Sequence, residues 1–163
     1  MKIQNLEDIS DIFSIFHDGI IVENHFKNNI LILSVEIEYL AERIHSTFTQ
    51  FEVTLYGFNN VAFSTWPARP EAKPEKLTNI QTILMSELLI LESNLIKDNR
   101  IEVICFCNQP SDEYDYGGGE LSFTVDSAEV KDEAGKFYTI DELDELCKSY
   151  WNRWEEQNDQ YEN

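Results

Sequence analysis

Basic residues are scarce in this sequence of 163 residues: 12 Lys and Arg stand against 31 Asp and Glu, which gives a formal net charge of −19. A chain of this charge is repelled by nucleic-acid phosphates unless its few cations form a patch, and the sequence contains no basic run. The same repulsion opposes binding to anionic membrane surfaces. We therefore expect neither a nucleic acid nor a membrane as its partner.

Long apolar runs and cysteines are also rare. No segment has the roughly 18 uninterrupted apolar residues that a spanning helix needs, and residues 1–13 lack the basic and then apolar regions of a signal peptide. The three cysteines, Cys105, Cys107 and Cys147, are an odd number without the spacing of a disulfide framework. The sequence thus predicts free thiols and a cytoplasmic protein.

Aromatic residues are plentiful, in contrast, with ten Phe, seven Tyr and three Trp. Highly charged disordered chains are poor in aromatic residues, so this composition predicts a folded protein. The length suits one domain with a substantial core, and we expect residues 1–163 to form a single domain. Three of the four prolines lie within residues 67–76, which we interpret as a Pro-rich surface loop of that domain.

Apolar and polar residues alternate in several segments, which is typical of strands with one buried face. In the clearest segment, Leu31, Leu33 and Val35 share one face, while Ser34 and Glu36 share the other. Similar patterns occur in residues 20–26, 51–55, 61–66, 101–107 and 121–125. A polar second face indicates an antiparallel sheet with one side exposed to water.

Two segments predict helices. Residues 5–16 repeat apolar side chains at helical spacing. Near the C-terminus, Thr139 and Glu142 have the spacing of a capping box. The apolar stripe that follows extends to Trp151 and Trp154, and we expect both rings to face the sheet.

The sequence therefore predicts an α+β fold: a single antiparallel sheet of about six strands with a short N-terminal helix and a C-terminal amphipathic helix. A partly closed barrel is the alternative, because closure removes exposed edges. Residues 77–86 fit a helix or a strand, and we favour a short helical turn or a loop to about Met85 before a strand. The polar residues 156–163 are expected to form a frayed acidic tail.

His17 and Asp18 are the most suggestive pair for catalysis, because an imidazole beside a carboxylate can act as a general base. Sequence neighbours rarely point at one another, however, and a His also suits the C-terminal end of a helix. We favour the structural role and assign no catalytic residue.

Metal and phosphate sites are not indicated either. Cys105 and Cys107 would lie about 7 Å apart along a strand, which is not the arrangement of a zinc knuckle. The acidic residues of segment 112–120 do not match a calcium-binding EF-hand loop. Glycines 117–119 lead into Glu120 and a strand, whereas a phosphate-binding loop leads into a helix. We predict no metal and no cofactor.

Negative charge is concentrated in residues 111–145, which contain 12 acidic residues and two lysines, a net charge of −10. Such a segment is either a solvated surface or a site that attracts a basic partner. Tyrosines among carboxylates favour a protein-binding patch. The candidate partner-binding residues are Asp112, Glu113, Tyr114, Asp115, Tyr116 and Glu120.

Phe16, His17, Asp18 and Gly19 lie within the run 15–21, which precedes the strand pattern described above. This opening resembles that of small bacterial immunity proteins of polymorphic toxin systems, and in particular the immunity-protein-50-like family. The run 119–130, a late strand before the C-terminal helix, is similar to the same group. The resemblance implies a non-enzymatic cytoplasmic protein that binds and neutralises one toxin.

The leading hypothesis is an acidic, non-catalytic binding protein that neutralises a basic toxin domain by occlusion. Carboxylates of residues 111–145 would pair with the cationic surface that the toxin uses to bind phosphate. A structural or scaffold domain is the alternative. A small hydrolase built on His17 and Asp18 is a third hypothesis.

Overall fold

A computed structural model describes residues 2–108 and 115–159. Within these ranges the chain forms helices α1 (Leu6–Ile15), α2 (Glu38–Ala41), α3 (Ile80–Leu84) and α4 (Ile140–Asp159). It also forms the strands β1 (Ile20–Lys27), β2 (Ile30–Glu36), β3 (Gln50–Tyr56), β4 (Asn59–Pro67), β5 (Lys76–Leu77), β6 (Leu88–Ile96), β7 (Arg100–Cys107), β8 (Tyr116–Thr124), β9 (Ser127–Lys131) and β10 (Phe137–Tyr138). The predicted α+β class, with a short N-terminal helix and a C-terminal helix, is confirmed.

All strands belong to one antiparallel sheet, in the order β10-β9-β3-β2-β1-β6-β7-β8-β4-β5. The sheet has ten strands, so the expected number of about six is too low. Two of the additional strands, β5 and β10, contain two residues each and are too short to show any alternation. Strand β9 follows β8 after two residues, and no glycine or proline marks the boundary.

The sheet is strongly curled. The two-residue connections β3–β4 and β8–β9 each join strands that are six places apart in the sheet order. Such short connections require the two halves of the sheet to approach each other where the connections lie. There the Asp126 N–H donates to the Tyr56 carbonyl oxygen at 2.8 Å. In the middle of the sheet order, β1 and β6 pair at a single position, Ile20 with Leu89.

The core lies inside this curl, under α1. Leu31, Leu33 and Val35 are at most 2% exposed, as their alternation predicts, and β3, β7 and β8 bury alternate residues in the same way. Phe16, directly after α1, stacks on Phe51 of β3 with ring centroids 5.0 Å apart. Burial of apolar side chains from both halves of the sheet is therefore the main stabilising contribution to the fold.

Helix α4 begins as predicted but does not pack as predicted. The Glu142 carboxylate accepts from the Thr139 N–H at 2.8 Å, and the Glu142 N–H donates to the Thr139 hydroxyl at 3.1 Å, which confirms the capping box. Trp151 and Trp154 are 37% and 48% exposed, however, so the expectation that they face the sheet is wrong. The helix has 20 residues, whereas α1 and α2, against which it packs, have ten and four. Its C-terminal half therefore extends beyond the elements that could cover it.

Three further segments follow the expectations in part. Helix α3 precedes β6, as we favoured for residues 77–86, and Asn79 Oδ1 caps it by accepting from the Thr82 N–H. The Pro-rich segment 67–76 is mostly exposed, although its first and last residues belong to β4 and β5. Helix α4 extends to Asp159, so residues 156–159 of the expected frayed tail are helical. In the described part of the chain, no helix is both long enough and apolar enough to cross a membrane.

Candidate functional site

The motif Phe16-His17-Asp18-Gly19 forms the turn from α1 into β1. Phe16 is buried, and Asp18 adopts a φ of 66° while its N–H donates to a carbonyl oxygen of β6. At Gly19 a Cβ atom would come within 2.8 Å of the Phe16 carbonyl oxygen and of a Val35 methyl group, so no larger residue fits. Each of these residues thus has a structural reason for its position.

His17 and Asp18 contact each other even though they are adjacent in sequence. His17 Nδ1 lies 3.1 Å from Asp18 Oδ2, and the two side chains are 37% and 62% exposed. The Tyr39 hydroxyl donates to the His17 carbonyl oxygen at 2.8 Å, and the Trp151 ring lies 5.8 Å from the imidazole ring. Among the described residues, no hydroxyl or thiol is hydrogen-bonded to the imidazole, so no side-chain nucleophile is paired with His17.

The surroundings of the two cysteines of β7 do not favour the thiolate form that metal binding or nucleophilic attack requires. Cys105 is buried in the core and Cys107 is half-buried. Burial raises the pKa of both thiols, whereas a metal ligand or nucleophile requires the thiolate. Within residues 2–108 and 115–159, no group of three or more His, Cys, Asp and Glu side chains could hold a metal ion.

The glycine run 117–119 belongs to strand β8. At Gly118 a Cβ atom would overlap the Cys105 carbonyl oxygen and lie 2.9 Å from the Trp66 ring. At Gly119 it would lie 2.8 Å from the Phe63 ring. These glycines therefore make space for aromatic rings on the two faces of the sheet and do not form a phosphate-binding loop.

Residues 115–145, the described part of the acidic segment, do not form one surface. Strand β8 is eighth in the sheet order, whereas β9 and β10 are second and first, so the topology separates Glu120 from the acidic residues that follow β8. Of the candidate partner-binding residues, Asp112, Glu113 and Tyr114 lie outside the described residues. The described candidates are Asp115, Tyr116 and Glu120.

Two of these three are poorly suited to bind a partner. Asp115 forms an ion pair with Arg69 of the Pro-rich segment, at 2.5 Å between Oδ2 and Nη2. Tyr116 is only 5% exposed, and its ring packs against Phe63 at 5.8 Å between centroids. Glu120 is partly exposed on β8 and has no ion pair among the described residues.

Acidic residues near β9 and β10 have structural partners. We call residues 127–138 the β9–β10 corner. The buried Asp132 accepts hydrogen bonds from the Ala134 N–H (2.9 Å), the Lys136 N–H (3.1 Å) and the Tyr138 hydroxyl (2.8 Å). Glu133 Oε1 accepts from the Thr49 N–H at 2.7 Å and from the Gln50 N–H at 3.0 Å, and these bonds lower its pKa.

The outer face of β6, β7, β8 and β4 carries both acidic and aromatic side chains. The strand register places Phe106, Gly118 and Trp66 in one row, and Glu92, Ile104 and Glu120 in the next row. Glu102 lies one row further along β7. We call this surface the acidic–aromatic face and define it by Trp66, Glu92, Glu102, Ile104, Phe106 and Glu120.

The three carboxylates of this face repel one another. Partial burial raises the pKa of Glu102, and the charges of Glu120 and Glu92 raise it further. No Lys, Arg or His nitrogen of the described chain lies within 4.0 Å of these carboxylates. The repulsion is therefore not relieved by an ion pair with any cation among the described residues.

Large apolar groups border these carboxylates. Phe106 is 50% exposed, and its ring meets Trp66 edge to face with centroids 5.9 Å apart. Trp66 in turn covers Gly118, which holds the indole against the sheet. The face therefore combines one exposed and one half-buried aromatic ring with carboxylates that have no cationic partner among the described residues.

Sequence analysis missed most of this face. Glu92 and Glu102 are distant from Glu120 in sequence, and only the pairing of three strands brings them together. The available signal was the position of each Glu at an outward-facing place in an alternating segment, which does not show which strands are neighbours.

Comparison with family models, with curated proteins and with solved structures found no match to this chain. The resemblance to immunity proteins therefore stays a prediction from the motifs described above.

Proposed function

We propose that this protein is a non-catalytic binding protein that uses the acidic–aromatic face to bind a basic protein domain. The observation that carries this proposal is the set of three carboxylates without a cationic partner in the described chain, beside the exposed ring of Phe106 and the half-buried ring of Trp66. Like charges held close together destabilise the free protein, so a partner that supplies cations gains both attraction and relief of repulsion.

The two kinds of side chain have different roles in this proposal. The carboxylates of Glu92, Glu102 and Glu120 attract the partner over a distance and increase the association rate. Phe106 and Trp66 then bury apolar area in the complex and slow dissociation, as aromatic anchors do in many interfaces. Trp66 is held in place by Gly118 and needs little ordering when it binds.

We further propose that the partner is a toxin and that binding neutralises it by occlusion. A nuclease domain needs a cationic surface to bind phosphate, and an acidic surface that covers this site blocks the substrate. The resemblance of residues 15–21 and 119–130 to immunity proteins supports this choice of partner. We place the function in the cytoplasm, because all three cysteines are free thiols.

The test needs a candidate partner, sought among the basic proteins encoded by neighbouring genes, and it measures the rate at which this partner associates with the chain. In the face variant, Glu92, Glu102 and Glu120 are all replaced by Gln, which changes the net charge from −19 to −16. The control variant carries Gln at the exposed Glu36, Glu145 and Glu156, which have no ion pair within the described chain and give the same net charge.

We expect the face variant to associate about tenfold more slowly at low salt, because steering depends on local charge. The association rate of the face variant should also depend less on ionic strength. Salt screens the electrostatic attraction to the partner, and the substitutions have already removed much of that attraction. The control variant should behave like the parent. Equal slowing in both variants, or a rate independent of salt in the parent, would contradict the proposal.

A second candidate function rests on the 3.1 Å contact between His17 and Asp18, which suits a general base for hydrolysis. If the protein is a small hydrolase, it should cleave p-nitrophenyl esters, and His17→Ala should abolish this activity. His25→Ala is the matched control, because His25 is exposed on β1 and makes no ion pair in the described chain. Absence of turnover in the parent would eliminate this candidate.

A further inference from the structure

A cavity of about 340 Å³ lies between α2, the turn after it and the C-terminal half of α4. This volume is in the range of small-molecule sites. Its walls come from Glu42, Arg43, Ser46, Tyr150, Arg153, Trp154 and Gln157. The cavity is separate from the acidic–aromatic face, which lies on the outer side of β6, β7, β8 and β4.

Two of the four arginines in the sequence line this one cavity, although the chain has a net charge of −19. The other two arginines have partners: Arg69 pairs with Asp115, and Arg100 donates to the Ser122 hydroxyl and the Asn60 carbonyl oxygen. Arg43 and Arg153, in contrast, have no carboxylate of the described chain within 4.0 Å, even though Glu42 also lines the cavity.

The Arg43 side chain has an unsatisfied donor. Its Nε atom is buried and has no hydrogen-bond partner among the described residues. Its one side-chain hydrogen bond there is a long one, from Nη2 to the Ser149 hydroxyl at 3.4 Å. Because Nε is closed to solvent, an acceptor in the cavity would bind the outer guanidinium nitrogens, for which the described residues supply only this long bond.

The cavity also offers flat apolar surfaces. Tyr150 and Trp154 contribute their rings to its walls, and Tyr150 is held by Tyr39 of α2 with ring centroids 4.6 Å apart. Planar groups pack well against such rings, and the guanidinium fork binds carboxylates and phosphates with two parallel hydrogen bonds. This one cavity therefore combines aromatic rings with guanidinium groups.

We propose that this cavity binds a small organic anion that carries a planar ring. Arg43 and Arg153 bind its carboxylate or phosphate group, and the ring packs against Trp154 and Tyr150. Trp154 is 48% exposed in the free protein, so its indole is accessible to such a ring.

The test is an NMR titration with phenyl phosphate and with benzoate, which share the planar ring and differ in the anionic group. We expect both probes to shift the Nε–H signals of Arg43 and Arg153 and the indole N–H signal of Trp154. The indole signal of Trp66 should not move, because Trp66 lies on the other surface. The probe that binds more tightly identifies the preferred anionic group.

Variants test the assignment of the residues. Arg153 is exposed on α4, so Arg153→Gln should fold normally and weaken phenyl phosphate binding by about tenfold, the usual effect of losing a charged hydrogen bond. Arg43→Gln should weaken binding at least as much. Arg69→Gln is the matched control, because it removes the same charge at a distant ion pair and should leave the affinity unchanged.

Three results would overturn the proposal. The first is that neither probe moves the two arginine signals up to its solubility limit. The second is that Arg69→Gln weakens binding as much as Arg153→Gln, since the probe would then respond only to overall charge. The third is that inorganic phosphate binds as tightly as phenyl phosphate, because the rings of the cavity would then contribute nothing.

Discussion

The β9–β10 corner and the acidic–aromatic face are both rich in carboxylates, but the two regions differ in whether these carboxylates have partners among the described residues. At the corner, Asp132 and Glu133 accept hydrogen bonds from backbone N–H groups and a tyrosine hydroxyl, and they hold turns in place. On the face, Glu92, Glu102 and Glu120 have no cationic partner in the described chain. The charge of the corner therefore contributes to stability, whereas the charge of the face is left without a cationic partner among the described residues.

This difference shows that a high density of acidic residues does not identify a binding site. The relevant quantity is how many carboxylates lack a partner within the protein, and it depends on the fold. Shifts of pKa report the same contrast, because hydrogen bonds lower the pKa of Glu133, whereas partial burial and like charges raise that of Glu102.

The largest effect is expected for Asp132→Ala at the corner. The substitution leaves the Tyr138 hydroxyl and the N–H groups of Ala134 and Lys136 without their acceptor, which costs about 3 kcal/mol. For a domain of this size the melting temperature should fall by roughly 6–12 °C. Urea unfolding of Asp132→Ala beside Glu92→Gln measures the difference, and similar loss in both variants would remove the distinction between the two regions.

A smaller effect with a defined pH dependence is expected for Glu133→Gln. Because the pKa of Glu133 is lower in the folded protein, its ionised form stabilises the fold above the ordinary value of 4.5. This contribution is lost as the pH falls through the lowered pKa. The parent should therefore be more stable than the variant at neutral pH, and the two should converge in acid. A constant difference at all pH values would contradict this explanation.

The smallest effect, of opposite sign, is expected for Glu102→Gln on the face. Its raised pKa means that ionisation destabilises the folded state as the pH rises above the ordinary value of 4.5. The variant should be more stable than the parent at neutral pH, by a few tenths to about 1 kcal/mol, which is typical of like charges on neighbouring strands. The gain should disappear below that pH. Unfolding curves at neutral and acidic pH test this, and destabilisation by Glu102→Gln would mean that the carboxylate is held by a partner.

Sequence analysis predicted the elements whose cause is local. Burial of Leu31, Leu33 and Val35 follows from a period of two, and the start of α4 follows from Thr139 and Glu142, which bond to each other across three residues. It did not predict the two-residue strands β5 and β10, because their pairing depends on neighbours that are distant in sequence.

The candidate site was predicted in smaller part. Glu120 lies on an exposed carboxylate face, whereas Tyr116 is buried and Asp115 is paired with Arg69.

An apolar stripe also shows only that a helix has an apolar side and not how far along the helix another element covers it. For this reason Trp151 was expected in the core but lies exposed.

By itself, the sequence determined the net charge, the α+β class and the alternating faces of the strands, because these depend on composition and on contacts between residues that are close in the chain. The tertiary structure decided which carboxylates have partners, because the register of β6, β7 and β8 places Glu92, Glu102 and Glu120 together. It also decided which rings are exposed, since the length of α4 exceeds that of the helices beneath it. Contacts between distant segments follow from strand order and packing, and no local pattern contains that information.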